Sequence, residues 1–232
     1  MADLDEDRRR VAAGLGCRST ADAAGACEAG QLLLAVKPQS FAAVARSIGP
    51  LERPTVVISI MAGLGSPAIR QALGPLARVV RVMPNTPCRV GAGMTAIALG
   101  EGAEPGDDAL AVKIFDALGR TVIVDEHHMH AVTGLSGSGP AYVFLLAEAM
   151  EQAAVAAGLD DATAALLVRH TIHGAGTLLI ESAEAPAELR AAVTSPGGTT
   201  EAALEVMMDR DWPAIVGDAI AAARDRGAEL GG

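Results

Sequence analysis

Two patterns of hydrophobic and polar positions divide the chain. In the first half, short apolar runs rich in β-branched residues alternate with helix-like segments, which is the pattern of a parallel sheet covered by helices. The predicted strands are 32–36, 55–60, 79–83, 94–99 and 121–124. Because several of these runs are continuously apolar, we expect strands that are buried on both faces. Residues 1–126 are therefore predicted to form an α/β domain.

From about residue 127 the strand pattern stops, and Ala- and Leu-rich segments continue to the end of the chain. We predict an all-α domain over 127–232, with helices at 140–157 and 160–182. In the first helix the clearly polar residues share one narrow face, so the rest of its circumference requires burial. One copy of this domain is too small to cover both helices, which predicts a homodimer with interlocked helices.

Composition narrows the classes of partner. The 232 residues carry a net charge of −10 and include one Trp, one Tyr and three Phe, so they offer neither a basic face nor stacking platforms for nucleic acid. The three Cys lack CxxC spacing, which predicts a reducing compartment, and we expect a cytoplasmic location. Uncharged stretches are interrupted by Gly and Pro, so no membrane partner is expected.

Five histidines invite a metal interpretation, since His127, His128 and His130 lie together and His170 and His173 are one helical turn apart. No carboxylate or Cys pattern matches a metal-ligand spacing, so no metal site is predicted. The chain also lacks a GxSxG elbow and a Walker-type loop, so no motif indicates covalent hydrolysis or phosphoryl transfer.

The segment 194–202, TSPGGTTEA, predicts a tight turn that leads into a helix. Amides at such a helix start have no intrahelical partner and the helix dipole is positive, so a small carboxylate or phosphate can bind there. Two Gly allow close approach of the main chain, and Thr199 or Thr200 is expected to cap the helix. A capped loop that binds no ligand is the alternative.

Other candidate contacts follow the predicted strands. Ligands of open α/β sheets bind beyond the carboxyl ends of strands, where Lys37 and its neighbours lie; the alternative is a solvated Lys. After the next strand, Ala62 and Gly63 allow a flat ring to approach the backbone, although a plain turn explains them equally well. Asn85, between two prolines, is either a turn former or a polar contact to a ligand.

Four motifs stand in order along the chain: LAVKPQ at 34–39, RVMPNTP with GAGMTA at 81–96, AVTGLSGSGPAYVF at 131–144, and ELRAAVTSPGGTTEAALEV at 188–206. Together they resemble the pyrroline-5-carboxylate reductases, which reduce a cyclic imino acid to L-proline with NADPH or NADH in the last step of proline biosynthesis. The resemblance implies a Rossmann-like domain, a helical dimerisation domain, and a homodimer or a higher oligomer built from it.

The resemblance also implies roles for individual residues. Those expected to line the dinucleotide are Asp22, Ala35, Val36, Lys37, Pro38, Ala62 and Gly63. Those expected to hold the substrate are Glu126, Ser195, Gly197, Gly198, Thr199 and Thr200. Thr200 matches the hydroxyl residue next to the ring nitrogen and is the predicted catalytic residue.

The start of the sequence departs from the family pattern. The family begins with a strand and a GxGxxG turn, whereas this chain begins at a segment similar to the end of the second strand, with Asp3 and Arg8 to Arg10 near the ribose-reading position. We therefore expect an incomplete Rossmann-like domain and a start codon upstream. The alternatives are a reductase of another cyclic imino acid, or a catalytically silent dimer that cannot bind a dinucleotide.

Overall fold

A computed structural model describes residues 1–25 and 30–230, which form two compact units. The first unit comprises Met1–Ser138 together with the chain from Ile220 onward, and the second comprises Gly139–Ala219. This division differs in position from the functional boundary between residues 126 and 127. That boundary stays a prediction.

The first unit contains one five-stranded sheet in the order β1-β2-β3-β4-β5. Every predicted strand is confirmed, with ends that shift by a few residues: β1 is Gln31–Leu34, β2 Thr55–Ser59, β3 Ala77–Met83, β4 Gly93–Leu99 and β5 Gly119–Ile123. β1, β2 and β3 are parallel, and so are β4 and β5. β1 lies at one end of the sheet.

Two strands run against the expected direction. β3 and β4 pair antiparallel, with Val82 opposite Ile97. Residues 84–92 join them and contain a single 3₁₀ turn, Thr86–Val90. Because a parallel crossover needs a dozen or more residues, this short connection reverses the chain instead. Because β5 is parallel to β4, both strands run opposite to β1, β2 and β3, and the expectation of a parallel sheet was wrong at the β3–β4 pair.

Helices cover both faces of the sheet in the first unit. α2 (Phe41–Ile48) and α3 (Ser66–Leu73) pack with β1 and with Val57 and Val79, whereas α4 (Ala109–Asp116) packs with Ile58, Val80 and Ile97. Neighbouring residues of β2 and β3 thus enter opposite cores, as expected for strands buried on both faces. The remaining helices are α1 (Glu6–Gly14) and α5 (Met129–Val132), followed by a π-helix at Thr133–Gly137.

The N-terminal residues form a small parallel contact of their own. Ala2 and Thr20 pair in an isolated bridge on either side of α1. Arg8 and Arg10 lie on α1 and pair with the acidic residues Asp3, Asp5, Glu6 and Asp7. These ion pairs are solvent-exposed, so each contributes little to stability.

The second unit is helical, as predicted. Its helices are α6 (Gly139–Ala156), α7 (Asp161–Glu181), α8 (Pro186–Ala192), α9 (Thr199–Asp209) and the first part of α10 (Trp212–Glu229). The two long predicted helices therefore agree with α6 and α7 to within one residue at each end. Among the described helices, none combines the length and apolarity that crossing a membrane requires.

Large apolar side chains of α6 and α7 are exposed in the single chain. α6 has no buried residue, and the buried residues of α7 are Ala164 and Val168. Phe144 is 65% exposed, Leu145 66% and Ile180 84%. Contiguous apolar surface of this kind is typical of a protein interface.

Candidate active site

The carboxyl ends of β1 and β2 bring together six of the residues predicted to bind the cofactor. The two strands are parallel neighbours, and the Ile60 amide donates to the Leu34 carbonyl at 3.1 Å just where they end. The segments that follow, 35–38 and 62–63, therefore lie along one edge of the sheet. Ala35 and Lys37 are exposed there, while Ala62 is half-buried. Small side chains at such an edge leave room for a flat ring.

Gly63 is the exception along this edge, because α10 covers it. The residue is buried and has φ +83°, which favours glycine. A Cβ built on it lies 3.1 Å from the Gly227 carbonyl oxygen and 3.1 Å from the Leu230 Cβ. The need for glycine here therefore has a packing cause, and the contact of Gly63 with a cofactor stays a prediction.

Gly134, in the π-helix, makes a second close approach to α10. A Cβ at this position falls 2.7 Å from the Ile220 carbonyl oxygen and 3.0 Å from the Arg224 amide nitrogen. The C-terminal part of α10 is thus seated on the first unit at two glycines, which explains why residues from Ile220 onward cluster with it. Gly134 belongs to the motif AVTGLSGSGPAYVF, but the sequence alone does not indicate that α10 is the element packed against it.

The Glu126 carboxylate is bound to the N-terminus of α3. It accepts hydrogen bonds from the Ser66 amide at 2.8 Å and from the Ser66 hydroxyl at 2.5 Å. The same hydroxyl accepts from the Glu101 amide at 2.8 Å. A carboxylate is well placed at a helix N-terminus, where unpaired amides and the dipole favour negative charge. The protein's own side chain therefore occupies the anion-binding position at this glycine-preceded helix start.

Arg81 lies on the other side of the same carboxylate. Its side chain is 6% exposed, and its Nη1 stands 3.5 Å from the Glu126 Oε1. Burial lowers the pKa of the Arg81 guanidinium, and the charge of Glu126 and its hydrogen bond oppose that shift. Glu126 is thus the counter-ion of a buried Arg. Its predicted contact with the substrate stays a prediction.

His130 adjoins this pair. Its Nδ1 is buried and has no hydrogen-bond partner among the described residues. Burial lowers the pKa of His130, the positive charge of Arg81 lowers it further, and Glu126 raises it. The sequence analysis grouped His130 with its exposed neighbours, because three adjacent histidines carry no sign of which one faces inward.

Asn85 uses its whole side-chain amide within the first unit. Its Oδ1 accepts from the Met94 amide at 2.9 Å, and its Nδ2 donates to the Ser136 carbonyl at 3.2 Å. The residue therefore joins the turn after β3 to β4 and to the π-helix. Of the two alternatives left open by the sequence, this geometry favours the turn former.

Asp22 lies in an exposed turn near the N-terminus. Its Oδ1 accepts from the Ala24 amide at 3.0 Å, and its own amide donates to the Thr20 hydroxyl at 3.0 Å. These are local turn contacts of a kind common for Asp. The role of Asp22 in binding a cofactor stays a prediction.

In the second unit, the turn at 194–202 has the predicted form with one correction. α9 begins at Thr199, and Gly198 is its N-cap, with φ −86° and ψ 171°. Thr199 and Thr200 lie inside the first helical turn, so the expectation that one of them caps the helix was wrong. Gly197 has φ +68°, and a Cβ on Gly198 falls 2.5 Å from the Ser195 hydroxyl. Both positions thus require glycine.

The hydrogen bonds of this turn show which amides are open. Gly197 donates to the Glu201 Oε2 at 2.7 Å, and Gly198 donates to the Ser195 carbonyl at 3.0 Å. Their amides are therefore occupied within the turn. The amides of Thr199 and Thr200 have no acceptor among the described residues, and Thr200 is half-buried. The open donors lie one to two residues later than the glycines.

Comparison with known proteins identifies the family to which the chain belongs. A family model described as pyrroline-5-carboxylate reductase dimerisation matches residues 126–230. The pyrroline-5-carboxylate reductase of Synechocystis is 47% identical over 201 residues, which is 86% of this chain and 74% of that protein. The enzyme of Methanosarcina acetivorans is 41% identical over 219 residues, 94% of this chain and 81% of that protein.

Solved structures give the same result. A pyrroline-5-carboxylate reductase from Coxiella burnetii superposes with a TM-score of 0.90 at 36% identity, over 100% of this chain and 87% of that one. The Plasmodium falciparum enzyme, solved with NADP bound, has a TM-score of 0.86 at 29% identity, over 93% of this chain and 82% of that one. The α/β sheet followed by a helical unit, with its glycine-rich turn before α9, belongs to a member of the pyrroline-5-carboxylate reductase family.

Proposed function

We propose that this protein reduces 1-pyrroline-5-carboxylate to L-proline, with NADPH or NADH as the hydride donor. The observation that carries this proposal is the start of α9, where the amides of Thr199 and Thr200 are open and Thr200 is half-buried. A cyclic imino acid offers the matching groups, since it has one carboxylate and one ring nitrogen. Family membership supplies the reaction type.

The edge formed by β1 and β2 fits the nicotinamide part of the cofactor. Ala35 and Ala62 carry no atoms beyond Cβ, and the exposed Lys37 can pair with negative charge on the dinucleotide. NADP is bound in the Plasmodium falciparum structure. When bound, the reduced nicotinamide supplies the hydride, while the protein supplies alignment. Residues 35–38 and 62 would hold the ring. Gly63, which has no side chain, would let the ring approach the backbone.

The turn before α9 would bind the substrate. The Thr199 and Thr200 amides, at the positive end of an 11-residue helix, would donate to the substrate carboxylate. Ser195, Gly197 and Gly198 would shape the turn, because the Ser195 carbonyl and the two glycine amides are used to close it. The Thr200 hydroxyl would stand next to the ring nitrogen and steady the protonated imine and the amine product. A substrate that binds already protonated requires no strong general acid.

We further propose that the protein is a homodimer through α6 and α7. The exposed Phe144, Leu145 and Ile180 require a partner surface, and residues 126–230 match a dimerisation family. A second copy of the same helices is the partner that closed symmetry provides. Higher assembly and a cytoplasmic location stay predictions.

The decisive experiment follows the oxidation of NADPH and of NADH in the presence of pyrroline-5-carboxylate. We expect turnover with at least one cofactor, and loss of kcat by at least about tenfold in Thr200→Val because the hydroxyl that would accept from the protonated ring nitrogen is removed. Thr200→Ser should recover most of the activity. Thr194→Val is the matched control, since the Thr194 hydroxyl donates to the Arg190 carbonyl at 2.7 Å inside the turn.

Three results would contradict the proposal. A folded dimer that oxidises neither cofactor would support the silent dimer. Turnover confined to another cyclic imine would move the substrate assignment. An unchanged kcat in Thr200→Val, with the control equally active, would remove Thr200 from its role.

A further inference from the structure

The turn between β5 and α5 carries side chains on two sides. Asp125 is the N-cap of a 3₁₀ turn, Glu126–His128, which is closed by a hydrogen bond from the His128 amide to the Asp125 carbonyl at 3.0 Å. Glu126 faces inward and holds Ser66 and Arg81. Asp125, His127 and His128 are exposed. The inward anchor therefore fixes the backbone from which three potential metal ligands project.

The three outward side chains converge. One ligand atom from each of Asp125, His127 and His128 lies within 4.8 Å of the other two. The imidazole rings have centroids 3.8 Å apart and are tilted by 44°. Bonds of about 2.0–2.1 Å to a tetrahedral ion place its ligands about 3.4 Å apart. Binding of one ion would require the three exposed side chains to rotate until their ligand atoms close that difference.

We propose that Asp125, His127 and His128 bind one divalent transition-metal ion, with zinc as the expected occupant. Two imidazoles and one carboxylate are ligands that Zn²⁺, Co²⁺ and Ni²⁺ accept, whereas Mg²⁺ and Ca²⁺ prefer sites made of oxygen. Three protein ligands leave further positions for water. The sequence analysis predicted no metal site because no carboxylate or Cys pattern matched a metal-ligand spacing, whereas the structure brings Asp125 close to the two histidines.

The proposed ion would bind outside the residues assigned to substrate and cofactor. Its expected effect is structural, because it would join the two ends of the turn that positions Glu126. A ligand that binds only the folded state stabilises that state by mass action. Binding should therefore raise the melting temperature of the protein in a concentration-dependent way.

The test uses the full chain, freed of metal with a chelator and then titrated by calorimetry. We expect one Zn²⁺ per chain, and visible absorption bands when Co²⁺ is used instead. Asp125→Asn, His127→Gln and His128→Gln should each weaken Zn²⁺ binding by at least about tenfold and abolish the rise in melting temperature. The matched control is His170→Gln/His173→Gln, which removes two exposed histidines from α7.

Each outcome decides the proposal. Binding that is lost in the three turn variants and kept in the α7 variant supports it. Equal affinity in wild type and in the variant that combines Asp125→Asn, His127→Gln and His128→Gln overturns it. Loss of binding in the α7 variant alone also overturns it. Circular dichroism of each metal-free variant shows whether its fold is intact, and loss of binding in a single folded turn variant is sufficient.

Discussion

Replacing Glu126 with Ala should destabilise the first unit more than replacing any other partly exposed Asp or Glu with Ala. The substitution leaves the Arg81 guanidinium, 6% exposed, without its acceptor at 3.5 Å. It also removes both acceptors of the Ser66 amide and hydroxyl at the start of α3. A buried charge and a helix terminus thus lose their partner together.

The magnitude follows from the geometry. Two charges about 3.5 Å apart attract by about 5 kcal/mol at an effective dielectric constant of about 20. Glu126 is 25% exposed, so water replaces part of this attraction after the substitution. Loss of one partner of a buried pair is typically worth about 3–5 kcal/mol, and a lost N-cap about 1 kcal/mol. Because the two effects share one carboxylate and do not add, we expect about 3 kcal/mol.

The assay is amide hydrogen exchange of α3 and β3, which reports the opening of the first unit. Fluorescence of the single Trp212 is unsuitable because that residue belongs to the second unit. Glu126→Gln should have a smaller effect, about 1–2 kcal/mol, because it keeps an oxygen acceptor for Ser66. Adding Arg81→Met to Glu126→Ala should recover part of the loss, since the uncompensated charge is then gone.

A second Arg–carboxylate pair provides the control. The Arg78 Nη1 lies 3.0 Å from the Glu104 Oε2, but the Glu104 side chain is 70% exposed. Asp107 holds the same guanidinium at 3.1 Å. Glu104→Ala should therefore change stability by less than about 1 kcal/mol. If the two alanine variants exchange equally fast, the buried network around Glu126 has been misjudged.

Three further predictions concern other parts of the molecule. The pKa of His130 is lowered in the folded state from its ordinary 6.5, so the unfolded state binds more protons once the pH falls below that value. Stability should be greatest above it and decline as the pH decreases, and urea titrations at about pH 7.5 and about pH 5.5 should show a smaller decline in His130→Gln. Gly198→Ala places a Cβ 2.5 Å from the Ser195 hydroxyl, and the distorted turn should misplace the amides that follow. KM for pyrroline-5-carboxylate should rise at least about tenfold, with KM for the cofactor unchanged. An equal rise in both KM values would argue against a substrate-specific turn. Phe144→Glu places charge on a side chain that is 65% exposed in the single chain, and light scattering should report a monomer, whereas a persistent dimer would place the interface elsewhere.

The three central strands, β2 to β4, could be predicted because they are buried on both faces, whereas β1 alternates exposed and buried residues and β5 has no buried residue. Continuous apolar runs located β2 and β3 to within two residues at each end, and the runs of α6 and α7 were equally clear. The direction of β4 and β5 could not be predicted, since it depends on the length of the connection before β4 and not on the pattern of the strands. A helix start within 194–202 was predicted from the glycines, but the cap was assigned to Thr199 or Thr200, one or two residues too late.

Contacts between distant segments escaped as well. Ser66 and Glu126 are 60 residues apart, and neither residue is unusual in its own neighbourhood. The resemblance assigned Glu126 to the substrate, but its sequence context carries no sign that a helix N-terminus and a buried Arg surround it. The two glycines against α10 were visible as glycines, yet their partner lies at the other end of the chain.

The seating of α10 on Gly63 and Gly134 has a practical consequence for handling this protein. Any side chain at either position would push α10 away from the first unit, next to the carboxyl ends of β1 and β2. For the same reason, a purification tag that followed Leu230 directly would begin against Gly63, so a spacer is needed between the tag and α10.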